Sequence, residues 1–138
     1  MAGGTPTASV AVGPGETVWR LIEYAWYQPD GNGKKVIQEA AFIGQVSLVR
    51  ASLVTVQIVD AVKNGKFAKY GIARLSVAEI YKATKGNLRI DVDKDWPPDA
   101  HVLFIRSTGG KTLQLTHSEV FELTVLANQV PLLRPPLP

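Results

Sequence analysis

Residues 75–81 read LSVAEIY, and residues 115–121, forty positions later, read LTHSEVF. Each segment holds a leucine, a hydroxyl residue, two spacers, a glutamate, a β-branched residue and an aromatic residue, in that order. A hydroxyl residue three positions before a glutamate is typical of a capping box, in which each side chain binds the other residue's free backbone N–H at a helix N-terminus. Both segments are therefore predicted to begin helices. The first should end near Lys85, where Gly86 supplies a left-handed stop.

The recurrence of this segment favours an internal duplication, with strand-then-helix units at approximately residues 34–86 and 87–130. A chance similarity between two short segments is the alternative. For residues 118–127 a strand also competes with the helix, because the apolar residues alternate from Phe121 to Val125. The predicted fold class is α+β, with antiparallel β-sheets and two capped helices.

A β-hairpin is predicted over residues 54–73. Apolar and polar residues alternate at its start, which is the period of a strand. Asn64 and Gly65 form the dipeptide preferred in a type I′ turn. Centring the hairpin on that turn would place Asp60 opposite Lys69, an opposite-charge pair of the kind that stabilises a ladder.

The N-terminal third is less regular. Apolar residues between Val18 and Ala25 have helical spacing, but the aromatic residues at 24–27, followed by turn residues at 29–33, favour strands. Further elements are predicted as a bent strand at 40–53, a strand at 87–94, a turn at 95–99, and a hairpin whose arms are 101–106 and 112–115.

The chain has 138 residues, of which 46% are hydrophobic and 20% charged, a composition typical of a globular protein. It is predicted to form a single domain over residues 16–130, with a flexible leader at 1–15 and a proline-rich tail at 131–138. No membrane association is expected, because no apolar run approaches the ~18 residues of a membrane span. The leader lacks the basic start and apolar core of a signal peptide.

Cysteine is absent, which excludes disulfides, thiolate zinc sites and cysteine nucleophiles. A reducing compartment is compatible with this composition, and an intracellular location is expected. Lysine and arginine number 15 against 12 acidic residues, for a formal net charge of +3. This balance fits a nucleic-acid partner, although many small proteins without such a partner are equally basic.

Two glycine-rich segments fail as ligand motifs. Residues 109–112 read GGKT, but Ile105 stands where a phosphate loop needs its first glycine, and a strand rather than a helix is predicted to follow. The segment DGNGK, from Asp30, resembles the start of a calcium loop. Lys34 at its fifth position and Ala41 at its twelfth remove oxygen ligands that such a loop needs. No metal and no cofactor is predicted.

His101 and His117 are the two histidines of the chain. If the strands around residues 107–110 paired, the two imidazoles would face each other and could bind a metal or share acid–base chemistry. Thr116 as the helix cap instead places His117 in the first helical turn. No aspartate or glutamate is placed by local spacing to orient either ring, so both histidines are interpreted as structural or surface residues. No catalytic residue is assigned.

Basic and aromatic residues that alternate on the predicted strands are the candidates for nucleic-acid binding. Phe104 and Arg106 share a strand face opposite the apolar face that the helices should cover. An exposed phenylalanine and arginine can stack bases and hold phosphates. The alternative is that Phe67 and Phe104 belong to the core and the cations only increase solubility. The predicted binding residues are Lys66, Phe67, Lys69, Tyr70, Arg89, Phe104, Arg106 and Lys111.

Residues 73–80 read ARLSVAEI and are similar to the segment that enters the first helix of Whirly-type single-stranded-DNA-binding proteins. Residues 111–130, followed by Pro131, are similar to the last strand, last helix and proline turn of that family. The two strand-then-helix units also resemble the related kinetoplastid guide-RNA-binding proteins. The resemblance covers about half of the chain, residues 66–134. The lysine-glycine-lysine-alanine-alanine segment of Whirly proteins is matched only in part, by residues 64–68.

This resemblance implies two antiparallel sheets backed by two helices, assembly into tetramers, and single-stranded nucleic acid bound along sheet surfaces between subunits. The leading hypothesis is therefore a non-enzymatic, homo-oligomeric protein that binds single-stranded DNA or RNA. One alternative is a protein-interaction or assembly module of the same fold without nucleic acid. A lesser alternative is a small hydrolase or nuclease that uses His101.

Overall fold

The computed structural model describes residues 11–93, 100–106 and 115–138, which form an α+β fold. A five-stranded antiparallel sheet is its centre, accompanied by a two-stranded antiparallel sheet and three helices. The predicted class, antiparallel sheets with helices, is confirmed. The described residues do not show the predicted internal duplication: they contain three strands and two helices in the first unit, and two strands and the helix His117–Asn128 in the second.

The five strands of the main sheet come from the whole length of the chain. They are β1 (Thr17–Ile22), β4 (Ser47–Arg50), β5 (Gly71–Ser76), β6 (Leu88–Val92) and β7 (His101–Arg106). Their order across the sheet is β5-β1-β4-β7-β6. The strand predicted from alternation after Gly86 is confirmed as β6, and strands are also confirmed in the N-terminal third. Of the bent strand predicted at 40–53, only Ser47–Arg50 is a strand, because 3₁₀ turns occupy its two ends.

The remaining elements lie on and around this sheet. The small sheet is formed by β2 (Tyr27–Pro29) and β3 (Lys35–Ile37). The helices are α1 (Val56–Gly65), α2 (Val77–Ala83) and α3 (His117–Asn128). Short 3₁₀ turns occur at Tyr24–Trp26, Glu39–Phe42 and Ala51–Leu53.

Both predicted N-caps are present, and the reciprocal capping box is formed at the start of α3. Ser76 Oγ accepts the backbone N–H of Glu79 at 3.4 Å at the start of α2. At the start of α3, Thr116 Oγ1 accepts the N–H of Glu119 at 3.2 Å, and Glu119 Oε1 accepts the N–H of Thr116 at 2.7 Å. Gly86 has φ of +73° and follows the end of α2. The helix, not the competing strand, is thus confirmed for residues 118–127.

The predicted hairpin at 54–73 is wrong, because α1 occupies its first arm. Thr55 Oγ1 accepts the backbone N–H of Ile58 at 3.2 Å and caps the helix. Val59 is fully buried against the sheet. Asn64 and Gly65 do have positive φ, as their dipeptide predicts. Residues 56–61 are helical, whereas Val62 is extended and Lys63 and Asn64 are left-handed, so the turn leads out of a helix rather than between two strands.

The sheet has a hydrophobic core on each face. On one face, β1 and β5 pack with α2 and α3, and this larger core contains Val18, Phe42, Leu48, Leu75, Ile80, Phe104 and Leu123. On the other face the core contains Trp19, Leu21, Val49, Val54, Val59, Ile72 and Ala100, with Val59 contributed by α1. Successive strand residues point to opposite faces, so the same strands supply both cores.

Both ends of the described chain contact the domain. Pro14 accepts the backbone N–H of Ala78 at 3.1 Å. At the C-terminus, Arg134 forms an antiparallel bridge with Ile72 at the outer edge of β5. The predicted turn at 95–99 and the predicted loop and strand at 107–114 lie outside the described residues.

Candidate functional site: a cationic and aromatic pocket

A pocket of about 420 Å³ lies where β1, β4 and β7 meet the connection between α1 and β5. Three cationic side chains and one carboxylate line it together with three aromatic rings and one histidine. The lining residues are Arg20, Leu21, Glu23, Trp26, Ser47, Leu48, Val49, Lys63, Lys66, Phe67, Tyr70 and His101. This volume is within the range of about 300–1,000 Å³ that is usual for small-ligand sites.

Arg20 is a cation inside a strand and is only 8% exposed. Its Nε donates to the carbonyl of Ala41 at 2.8 Å and its Nη1 to the carbonyl of Ser47 at 3.1 Å. The guanidinium lies 5.0 Å from the ring centre of Trp26. Burial lowers the pKa of Arg20 to about 10, partly offset by Glu23, so the side chain remains protonated at neutral pH. A fixed, largely buried positive charge therefore lines the pocket.

The turn after α1 supplies two more cations. Lys63 and Lys66 are exposed residues of the pocket wall. Lys63 has φ of +54°, in the left-handed region that L-residues other than asparagine rarely adopt. The Nζ of Lys66 lies 5.4 Å from the ring centre of Phe67. The chain reversal at residues 63–65 thus directs consecutive basic residues towards the pocket rather than along a strand.

Phe67 and Tyr70 form the aromatic wall of the pocket. Their ring centres are 5.1 Å apart and their planes are nearly perpendicular, at 87°. Both rings are half-buried against the smaller core. Burial raises the pKa of the Tyr70 hydroxyl, and the charge of Glu23 raises it further, while Arg20 opposes the shift. The Tyr70 hydroxyl is therefore a neutral hydrogen-bonding group at physiological pH.

Arg134, from the C-terminal tail, binds the segment that carries this wall. Its Nε donates to the carbonyl of Tyr70 at 2.8 Å and its Nη2 to the carbonyl of Phe67 at 3.1 Å. Its Nη1 lies 2.7 Å from Asp60 Oδ1 on α1. One side chain thereby connects α1, the pocket wall and the tail.

His101 lines the pocket from β7 and has a carboxylate partner that the sequence interpretation missed. Its Nδ1 lies 2.9 Å from Asp93 Oδ2, and the side chain of His101 is 12% exposed. Asp93 precedes His101 by eight residues, and its backbone N–H donates to the His101 carbonyl at 2.8 Å. The expectation that no acidic residue orients this ring is therefore wrong. His117 is exposed in the first turn of α3, as its position after the cap predicts.

The structure brings together three of the predicted binding residues, since Lys66, Phe67 and Tyr70 all line the pocket. Lys69 is exposed beside the pocket, and its carbonyl accepts the N–H of Leu137 at 2.8 Å. Arg89 is exposed on β6, distant in the sheet order, where its Nε lies 3.5 Å from Asp91 Oδ1.

Phe104 does not belong to a binding surface. Its side chain is 1% exposed and lies in the larger core, so its predicted exposure is wrong. Leu103, which was expected to face the helices, is half-buried on the opposite face of the sheet. The face assignment of β7 is inverted, because α2 and α3 pack on the side of Val102 and Phe104. Arg106 is the last residue of β7, and its side chain is not among those that the structure describes. Lys111 lies outside the described residues.

Arg20, Trp26 and Lys63 are pocket residues that sequence reasoning did not select. A charged residue within the apolar run TVWRLI was a usable signal, since a buried charge needs a structural or functional reason. Lys63 offered no comparable signal, because its place in the pocket depends on the turn conformation.

Comparisons of the chain with protein-family models, with curated proteins and with solved structures found no match. Within residues 11–93, 100–106 and 115–138, no helix is long and apolar enough to cross a membrane. The same part of the chain contains no group of three or more histidine or acidic residues placed to hold a metal ion. The arrangement of charge and aromatic surface in the pocket is therefore the basis for a functional proposal.

Proposed function

We propose that this protein binds single-stranded nucleic acid, without chemistry, through the pocket and the basic turn beside it. The observation that carries the proposal is the combination of Arg20, Lys63 and Lys66 with the half-buried rings of Phe67 and Tyr70 in one pocket. Cations hold the phosphate backbone and aromatic groups contact unstacked bases in proteins that bind single strands.

The geometry favours a single strand over a duplex. A pocket of about 420 Å³ accommodates one nucleotide-sized group, which a base-paired strand does not present. Arg20 is buried in the lining of the pocket, so a phosphate or the polar edge of a nucleobase there would interact with a charge shielded from water. Lys66 and Lys69 lie in the exposed segment next to it, where neighbouring phosphates would pass.

The part of the sheet formed by β6 and β7 is a poorer place for a polyanion. Asp91 and Asp93 are exposed there, on the rows of Leu103 and His101 respectively. Together with Arg89, these two carboxylates leave a net negative charge on this part of the sheet, and that charge repels phosphate groups. The proposal therefore places the nucleic acid at the turn after α1 rather than along the sheet face that carries Arg89.

Lys63 and Lys85 offer a matched test, because both are exposed lysines with φ of +54° and only Lys63 lines the pocket. Replacing either with glycine removes one charge and relieves the same left-handed strain. K63G is expected to weaken binding of a labelled single-stranded oligonucleotide by up to about fivefold at low salt. The slope of log affinity against log salt should become shallower by about 0.7. Fluorescence anisotropy across a salt series measures both quantities.

K85G is the control and should bind as the wild type does. Binding that is absent at low salt, or that weakens equally in K63G and K85G, would contradict the proposal. A duplex of the same sequence should bind more weakly than the single strand.

The same titration tests a second candidate function, a nuclease, which the His101–Asp93 pair favours. A carboxylate that orients a pocket histidine is the arrangement used for general acid–base catalysis. Shortening of the oligonucleotide during the titration, abolished in H101Q, would support that function over simple binding.

A further inference from the structure

The two edges of the main sheet differ, and the difference points to a partner. At the β5 edge, the N–H of Ile72 donates to the Arg134 carbonyl at 3.0 Å, and the N–H of Leu133 donates to the Ile72 carbonyl at 2.8 Å. The C-terminal tail thus covers part of this edge. In the part of the chain that the structure describes, β6 is the other edge of the sheet. No strand among the described residues pairs with its outer side, and Ala11 and Val12 line a pocket together with residues 89–92. A sheet edge without a paired strand is a template for pairing with another strand.

The hydrogen bonds of the β6–β7 pair show which groups of β6 face outwards. Asp93 donates its N–H to the His101 carbonyl at 2.8 Å, and these residues continue the register of the pair. Hydrogen-bonded positions alternate along an antiparallel pair. Residues 89 and 91 therefore direct their backbone groups towards β7. Leu88, Ile90 and Val92 direct theirs to the outer edge.

We propose that β6 pairs with β6 of a second copy of this chain, antiparallel and centred on Ile90. This register places Leu88 opposite Val92 of the second copy and Arg89 opposite Asp91 of the second copy. The inference is independent of the nucleic-acid proposal, because neither Arg89 nor Asp91 lines the cationic pocket.

Charge complementarity selects this register. The side chains of Arg89 and Asp91 are 46% and 53% exposed, and a twofold arrangement brings two Arg–Asp pairs into cross-strand contact. Shifting the pairing by two residues in one direction places Arg89 opposite Arg89 of the second copy. Shifting it by two residues in the other direction places Asp91 opposite Asp91 of the second copy. Like charges directly opposite each other destabilise a ladder. Among registers that join the outward-facing backbone groups, the one centred on Ile90 is thus favoured.

The side chains on the other face of β6 are compatible with this pairing. Leu88 is 2% exposed and Ile90 is 4% exposed, so both stay within the core of their own subunit. The contact therefore consists of main-chain hydrogen bonds and the two ion pairs, and it joins two five-stranded sheets into one continuous sheet. So small an interface predicts a reversible dimer that forms with increasing concentration.

Charge reversal tests the proposal, with sedimentation velocity over a concentration series as the measurement. The wild type should be a dimer in reversible equilibrium with monomer. R89D makes the strand wholly acidic and D91R makes it wholly basic, so each variant alone should be monomeric. An equimolar mixture of R89D and D91R should restore the dimer, because each acidic strand then meets a basic one. The double variant R89D/D91R should also dimerise by itself.

The mixture separates a contact between copies from the contact between Arg89 and Asp91 within one chain. Melting temperatures of the single variants check that each remains folded. A wild type that stays monomeric up to its solubility limit would overturn the proposal. Single variants that dimerise like the wild type, or a mixture that stays monomeric, would overturn it as well.

Discussion

Lys63, Asn64 and Gly65 have φ of 54°, 58° and 80°, three successive residues in the left-handed region. Asparagine and glycine tolerate this conformation, but for lysine it costs about 1–2 kcal/mol. The dipeptide Asn64-Gly65 correctly indicated positive φ. It could not indicate what precedes the turn, because turn dihedrals are local whereas the choice between helix and strand depends on what the segment packs against.

Glu16 and Arg50 form an ion pair whose pH dependence can be measured. Arg50 is 3% exposed, and its Nη2 lies 2.7 Å from Glu16 Oε2. The hydrogen bond from Arg50 lowers the pKa of Glu16 below 4.5, with burial opposing the shift. A carboxyl whose pKa is lower in the folded state contributes stability above its unfolded pKa and loses it as the pH falls through the folded pKa. The ion pair should thus stabilise the fold at neutral pH, and this stabilisation should be lost as the pH falls below 4.5.

E16Q is expected to lower the free energy of unfolding at pH 7 by about 1–3 kcal/mol, because a buried arginine loses its charged acceptor. The difference between wild type and E16Q should shrink below pH 4.5. Urea denaturation at several pH values measures this. E79Q, at an exposed carboxylate with no ion pair among the described residues, is the control. An E16Q deficit that persisted unchanged in acid would contradict the assignment.

Among the elements, α1 shows how a short sequence pattern can mislead. Val54, Val56 and Ile58 alternate as in a strand, but three residues are too few to separate a period of two from a helical period. Val59 packs with Trp19 and Ile72 in the smaller core, and this packing favours the helix over a strand. Thr55 was an available signal for the helix start, because threonine is a preferred N-cap.

The C-terminal tail is an element whose contacts depend on one glycine. A Cβ added at Gly71 would lie 2.7 Å from Pro136 Cδ, 2.8 Å from the Pro136 nitrogen and 3.0 Å from the Arg134 carbonyl. G71A should therefore displace the tail, loosen the Arg134 contacts to the pocket wall, and destabilise the fold by about 1–3 kcal/mol. Limited proteolysis should cut the tail faster than in the wild type.

G31A is the matched control for this substitution, because a Cβ at Gly31 meets nothing within 4 Å. Its stability should stay within about 0.5 kcal/mol of the wild type. Equal effects of G71A and G31A would show that the tail does not rest on Gly71.

At the scale of the whole molecule, the two cores are joined through shared strands. β1 supplies Val18 to the larger core and Trp19 to the smaller one, and β4 supplies Leu48 and Val49 in the same way. Neither core can be lost without removing strands from the other. Unfolding in urea should therefore follow a single transition, with the same midpoint by far-ultraviolet circular dichroism and by tryptophan fluorescence. Separated midpoints would show that the cores unfold independently.

The accuracy of the sequence predictions follows from the range of the interactions involved. The caps at Ser76 and Thr116 join residues three positions apart, so their pattern was sufficient to locate both helices. Phe104 and Arg20 are different. Which face of β7 the helices cover, and whether an arginine in β1 is buried, depend on strands from distant parts of the chain. Of the residues that line the pocket, the sequence analysis selected Lys66, Phe67 and Tyr70 for nucleic-acid binding, and His101 only for the lesser alternative of a hydrolase or nuclease.

The sequence by itself therefore determined the class of the fold, two capped helices, most strands and the positive φ of the turn at Asn64, because these depend on neighbours along the chain. The tertiary structure decided that α1 replaces a hairpin and that Phe104 lies in the core. It also decided that Arg20, His101 and the turn after α1 enclose one pocket. Those outcomes depend on packing between segments far apart in sequence, where burial and long-range contacts outweigh local preference.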